Sequence, residues 1–191
     1  AIEKAVNNVI NHYPINNSHP FYSTNPDAGG LTHGLAFTDV LEQLYVLTKN
    51  PLYLDYCLFL YKDFSAQRLN EDAQFIKLLD PLLPLKGHGV HTYEHLRSVT
   101  AAWYASGNPA LKSALDQFIA KIKRCQTPSG APAGDEFVGG RAGDATLTGY
   151  EFCSLHELMA GWISLLTKSG ASSYGDQAEK ILFNASLGAK H

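Results

Sequence analysis

The sequence predicts an all-α domain of helical-hairpin repeats, forming part of an (α/α)6 toroid. Three observations carry this expectation. Apolar residues recur at helical spacing along most of the chain, and no stretch alternates convincingly with the period of a strand. A unit made of a histidine beside glycine, a helix, an Asn-Pro break and a second helix occurs twice. It runs from His33-Gly34 through Asn50-Pro51, and again from Gly87-His88-Gly89 through Asn108-Pro109. A third helix pair opens at Glu151 and turns at Thr167-Lys168-Ser169-Gly170. Such hairpins bury one face only by stacking on neighbours, which gives a solenoid or, if the rotation closes, a ring. A closed (α/α)6 ring takes six hairpins. Residues 1–191 are therefore expected to form a single all-α domain, an incomplete arc of a larger toroidal domain.

The elements follow in order. Ile2, Ala5, Val6, Val9 and Ile10 mark a short amphipathic helix. Residues 13–32, rich in Pro, Asn, Ser and Gly, read as a loop. A helix over 33–48 carries Leu41, Leu44 and Leu47, and Asn50-Pro51 ends it. Pro51 suits the first turn of the next helix, which runs to about Phe64. A shorter helix is expected over 71–80, closed by Pro81 and Pro84. The helix over 87–106 ends at Asn108-Pro109. Leu111, Ala114, Leu115, Phe118, Ile119 and Ile122 then give the clearest amphipathic pattern in the chain. Residues 126–149 read as a long loop. The helix over 152–168 is apolar nearly all round, so burial on most of its sides is expected. Ala178, Ile181, Leu182 and Ala185 mark the last helix.

Composition narrows the function. Of the 191 residues 45% are hydrophobic and 17% charged, which suits a chain with a real core. The net charge is -3 and basic residues do not cluster, which argues against nucleic acid as a partner. No apolar run reaches the roughly 20 residues of a membrane-spanning helix, so a membrane partner is not expected. Ten tyrosines suit either a sugar cleft or an ordinary core. Three scattered cysteines, Cys57, Cys125 and Cys153, do not make a disulfide framework, and the first two read as packing residues.

The reactive side chains gather in residues 134–158. Asp135 and Glu136 lie in a glycine-rich loop long enough to suggest function. Either is a candidate catalytic acid if it is partly buried over a cleft; a solvated turn is the competing reading. Arg141 either anchors the loop or contacts substrate. Glu151 and Cys153 sit at the start of a helix, where a helix N-terminus favours a thiolate. Soft sulfur beside a carboxylate is also a donor pair suited to zinc. The competing reading is a capping Glu beside a small buried Cys. His88, His91 and His95 share one helix face with Glu94 beside it, and His33 opens the equivalent helix one repeat earlier. These histidines read as a polar, substrate-binding wall of a cavity, as a metal site, or as ordinary hydrogen-bonded side chains. His156-Glu157 begins a zincin motif that Ala160 breaks.

Taken together, Glu151-Phe152-Cys153 before an apolar helix, an acid near 135 in a glycine-rich loop, and Gly87-His88-Gly89-Val90 opening an earlier helix resemble the glycoside hydrolases of family 127. That family includes β-L-arabinofuranosidases on an (α/α)6 toroid, and the resemblance covers the chain from about His33 onward. It implies a zinc ion held by Glu151 and Cys153 together with two adjacent downstream cysteines, one of them the nucleophile. It implies a general acid/base sixteen residues before Glu151, where Asp135 stands. Glu136, fifteen before, has the family's side chain and is the preferred acid. It implies a sugar contact at His88. The chain departs from the family in two ways: it has no Cys-Cys pair, and Phe152 stands where Thr is usual. A fragment with two of four ligands is expected to bind zinc weakly and to be inactive alone.

The function expected is thus part of a glycosidase acting on a carbohydrate. One rival is a metal-independent toroid enzyme, an unsaturated-uronyl hydrolase or epimerase, using Asp135, Glu136 and the histidines. Another is a non-catalytic helical repeat that binds a glycan or protein.

Overall fold

The computed structural model describes residues 1–25, 31–144, 146–147 and 149–188. Among the described residues the fold is all-α, without strands. In chain order the helices are α1 (Ile2–His12), α2 (Phe37–Thr48), α3 (Leu52–Ala66), α4 (Phe75–Leu79), α5 (Gly89–Ser106), α6 (Pro109–Cys125), α7 (Phe152–Ser169) and α8 (Ser173–Lys180). A 3-10 turn, Thr32–Ala36, leads into α2, and a π-helical turn, Ile181–Ser186, follows α8.

Three hairpins, α2/α3, α5/α6 and α7/α8, turn where the sequence signals lie. Asn108 accepts a hydrogen bond from Ala110 N at 2.8 Å and Pro109 takes the first turn of α6. Asn50 does the same for Leu52 N. The helices α5 and α7 end on Gly107 and Gly170 in the left-handed conformation that glycine adopts without strain. Lys49 adopts it after α2 at φ 59°.

The first helices of the three hairpins run in one direction. A Cβ placed on Gly89 would lie 3.1 Å from Ser154 Oγ, and one on Gly161 would lie 2.8 Å from Leu96 Cδ2. Both helices advance seven residues between these contacts, so α5 and α7 are parallel. Thr32 O accepts from His95 Nε2 and Leu35 O from Ser98 Oγ, so the chain entering α2 also runs with α5. Arg97 on α5 joins all three, bonding Asp39 of α2 and Glu157 of α7 at 2.9 and 2.6 Å.

The core is dominated by rings. Tyr53, Tyr56, Tyr61 and Tyr93 are buried, and their hydroxyls donate to Glu3 and Asn7, to Tyr13 O, to Ala73 O and to Ala133 O. These four tyrosines are structural, burying an apolar ring while the hydroxyl keeps a partner. Trp162 stacks on Tyr174. Every apolar position expected on α6 is buried, from Leu111 to Ile122, and Cys57 and Cys125 are buried packing residues.

Four expectations need correction. The helix expected over 33–48 begins as the 3-10 turn and becomes α-helical only at Phe37. The helix expected over 71–80 contracts to α4, because Glu71 and Asp72 turn their carboxylates toward α5 instead. The last helix is split by the π-helical turn. Finally, α7 buries one face, through Ser154, Leu155, Leu158, Gly161, Trp162 and Leu165, while Phe152 and Ile163 are exposed. The helix buried on most sides is α5, whose buried positions include Thr92, Glu94, His95, Ser98 and Thr100. Its polar composition hid that burial from a reading based on hydrophobicity.

Candidate functional site

The N-terminal ends of α5 and α7 meet at one end of the molecule, and the long loop is stitched across them. The Asp72 carboxylate accepts from Lys86 N, Gly87 N and Thr92 Oγ1, which fixes the chain entering α5. Gly89 N donates to Glu136 O at 2.9 Å and Val138 N to Gly87 O. Glu151 N donates to Gly134 O, and Gly134 N to Gly149 O. Isolated bridges pair His88 with Phe137 and Gly134 with Tyr150. The loop therefore covers this end, and backbone hydrogen bonds hold it there.

Four imidazoles, the buried Glu94 carboxyl and the largely buried Glu71 carboxyl gather beside it. His88, which immediately precedes α5, and His91 in its first turn have ring centroids 4.6 Å apart. His91 Nε2 lies 2.8 Å from His33 Nε2. On its other side His91 Nδ1 lies 3.4 Å from Glu71 Oε1 and 3.3 Å from Thr32 Oγ1. His33 Nδ1 lies 3.4 Å from Glu94 Oε2. The hydrogen bond that His91 donates to Glu71, against the effect of burial, raises His91 above its ordinary value. Burial and the neighbouring imidazoles lower His33. Burial raises Glu71, but His91 and His95 together bring it below the usual carboxylate range. Burial, reinforced by Glu157, pushes Glu94 up to about 7. His95 is fully buried, packs edge-on against Phe64 and is driven by burial down to about 4, so it stays neutral.

The two loop acids have different partners. Glu136 Oε1 lies 3.2 Å from His88 Nε2. Asp135 is bound by Arg141 Nη2 at 2.5 Å, and that bond holds its carboxyl below its usual range. Arg141 thus holds Asp135 within the loop, while Glu136 faces His88. Arg141 also donates to Phe137 O and Val138 O, which makes it the anchor of the loop.

At the start of α7, Cys153 Sγ lies 3.7 Å from Glu151 Oε2. A thiol depressed by the helix N-terminus was expected, yet burial and then the Glu151 carboxylate raise it. Sulfur and oxygen at this separation fit two corners of a tetrahedral zinc site, with bonds of roughly 2.3 and 2.0 Å. Among the described residues no third His, Cys, Asp or Glu joins them.

The structure thus brings His33, His88, His91 and Glu136 into one connected group, with Glu151 and Cys153 at the same end. Asp135 and Arg141 are set apart as a loop anchor. Sequence reading missed Glu71 and Thr32. The available signal for Glu71 was an acid in a stretch otherwise committed to turns, where a free carboxylate can reach across to another element. Two clefts lie away from this group, one along Glu3, Asn7 and Asn11 of α1 and one between Tyr61, Phe75 and Leu111. Neither carries comparable chemistry. No protein-family model matches the chain, and none of the curated proteins compared with it does.

Proposed function

We propose that this chain is part of the catalytic domain of a glycoside hydrolase resembling family 127, with Glu136 as general acid/base. The supporting observation is Glu136 Oε1 at 3.2 Å from His88 Nε2, at the end of the molecule that also carries Glu151 and Cys153. Parallel first helices in three successive hairpins suit the inner ring of an (α/α)6 toroid, which further hairpins of the intact protein would close. Glu136 gives its proton to the leaving glycosidic oxygen and recovers it from the water that completes the reaction. His88 orients the carboxyl and contacts the sugar, and His33 and His91 line the same wall. Glu151 and Cys153 would supply two ligands of a zinc ion, which when bound keeps a cysteine ligand deprotonated. The resemblance gives the nucleophile to a downstream cysteine outside this chain, so residues 1–191 alone are expected to be inactive.

The test is leaving-group dependence in the intact protein. Glu136→Gln should nearly abolish cleavage of glycosides with poor leaving groups and spare the first step of activated aryl glycosides, which need little protonation. Asp135→Asn should show no such dependence. Equal loss on both substrate classes in Glu136→Gln would remove Glu136 from the role. A second reading, a metal-independent epimerase or unsaturated-uronyl hydrolase, is favoured by the His33–His91 pair, which needs no metal. Zinc content of the intact protein separates the two: full activity without zinc selects the second.

A further inference from the structure

Phe137 follows the proposed acid Glu136 in the loop and is 55% exposed. A lone exposed phenylalanine is ordinary on a protein surface, so its place decides what it can do. Its backbone is fixed on both sides. Gly89 N donates to Glu136 O, Val138 N to Gly87 O, and Arg141 Nη2 to Phe137 O. Val138, the next residue, is fully buried and pins the segment. The phenyl ring meets the His88 ring edge-on, with centroids 5.8 Å apart and planes at 90°. A ring held this way can be covered by a ligand at little cost in ordering.

His88 has three neighbours that matter. Its Nε2 lies 3.2 Å from Glu136 Oε1, and its ring touches both Phe137 and His91. From His91 the imidazoles continue to His33, whose ring centroid is 4.1 Å away. Among the described rings Phe137 meets His88 alone. The wall therefore changes character at His88. In one direction run imidazoles close to Glu71 and Glu94; in the other stands an apolar ring. Glu136 sits at that change.

We propose that Phe137 is a specificity-determining residue, a platform for the leaving group, and that the substrates are glycosides with an aromatic aglycone. This rests on the glycosidase reading of Glu136. A general acid stands between the sugar that is cleaved and the group that leaves, because it protonates the oxygen joining them. With the cleaved sugar against His88, His91 and His33, the leaving group falls on the Phe137 side of Glu136. An aromatic leaving group stacks on the phenyl ring or meets it edge-on, which adds to the gain from burial alone. A methyl leaving group is too small to cover the ring and gains little. Phe137 takes no part in the bonds made or broken. Phe152 is also exposed at this end, but it lies eleven residues, three helical turns, from the exposed Ile163. It belongs to the outward face of α7 and serves as the control.

The experiment is steady-state kinetics on the intact protein. The sugar is fixed first, as the one cleaved best among 4-nitrophenyl furanosides and pyranosides. Phenyl and methyl glycosides of that sugar are then compared by kcat/KM, which reports the first step. Phe137→Ala should lower kcat/KM for the phenyl glycoside roughly 3- to 10-fold and change the methyl glycoside far less. Phe137→Trp should keep the wild-type preference for phenyl, and Phe152→Ala should leave the phenyl-to-methyl ratio unchanged. A mere disturbance of Glu136 has the opposite sign, because the methyl glycoside has the poorer leaving group and depends more on protonation. An unchanged ratio in Phe137→Ala, or a greater loss on the methyl glycoside, overturns the platform and leaves the glycosidase reading standing. An intact protein that cleaves none of these glycosides removes both.

Discussion

Glu94 is the acid whose environment changes it most usefully, and its side chain is only 7% exposed. Burial lifts it from 4.5 to about 7. The folded state therefore keeps a proton that the unfolded chain releases from about pH 4.5 upward. The stabilisation is complete below 4.5 and is lost as pH rises through 7, by an amount on the order of 3 kcal/mol. His95 acts with the opposite sign. Lowered from 6.5 to about 4, it is neutral in the fold, and stability falls as pH drops between those values. Urea denaturation across pH 4.5–8 should show Glu94→Gln gaining on the wild type steadily as pH rises. A constant difference would mean that Glu94 is ionised in the fold throughout. At the start of α7, Glu151 raises the Cys153 thiol, so Glu151→Gln should make this exposed thiol react faster with iodoacetamide at pH 8 in zinc-free protein. An unchanged rate would mean the carboxylate does not face the sulfur in solution.

At the scale of elements, the fold turns on how closely α5 and α7 approach. Leu96 occupies the space beside Gly161 where a side chain would stand. Gly161→Ala should gain up to about 1 kcal/mol of helix propensity but lose roughly 1–3 kcal/mol to overpacking. The net effect should be destabilising. In a Leu96→Ala background the same substitution should become neutral or stabilising, because the clashing methyl groups are gone. A double-mutant cycle by thermal or urea unfolding measures that coupling, and strict additivity would rule out the close approach. The same crossing explains why α7 could leave Phe152 and Ile163 in solvent. Its small residues, Ser154 and Gly161, are the ones turned toward α5, whereas an all-round apolar pattern could not say which face was used.

For the whole molecule the joining element is Arg97. Its guanidinium meets Asp39 and Glu157, which come from different hairpins and sit 58 and 60 residues away in the chain. Arg97→Met should leave Glu157, itself mostly buried, without its cation and cost about 2–3 kcal/mol, somewhat less than a fully buried pair because Asp39 is partly solvated. Replacing all three with Met, Asn and Gln should recover much of that loss. If the triple variant is no better than Arg97→Met alone, the arginine matters through its packing and not its charge.

The sequence by itself determined the hairpins. Asn-Pro at 50–51 and 108–109, and the glycines at 107 and 170, act through local backbone geometry, so their effect is written in adjacent residues. The apolar face of α6 was equally legible, since its period reports burial directly. The grouping of His33, His88 and Glu136 at one end followed in outline from the repeat. Tertiary structure alone decided which polar groups are buried together. Glu71 reaches His91 across 20 residues, Glu94 faces His33 across 61, and Arg141 claims Asp135 while Glu136 is left to His88. Proton affinity depends on desolvation and on charges within a few ångströms, and those distances are set by how helices pack, which no local pattern encodes.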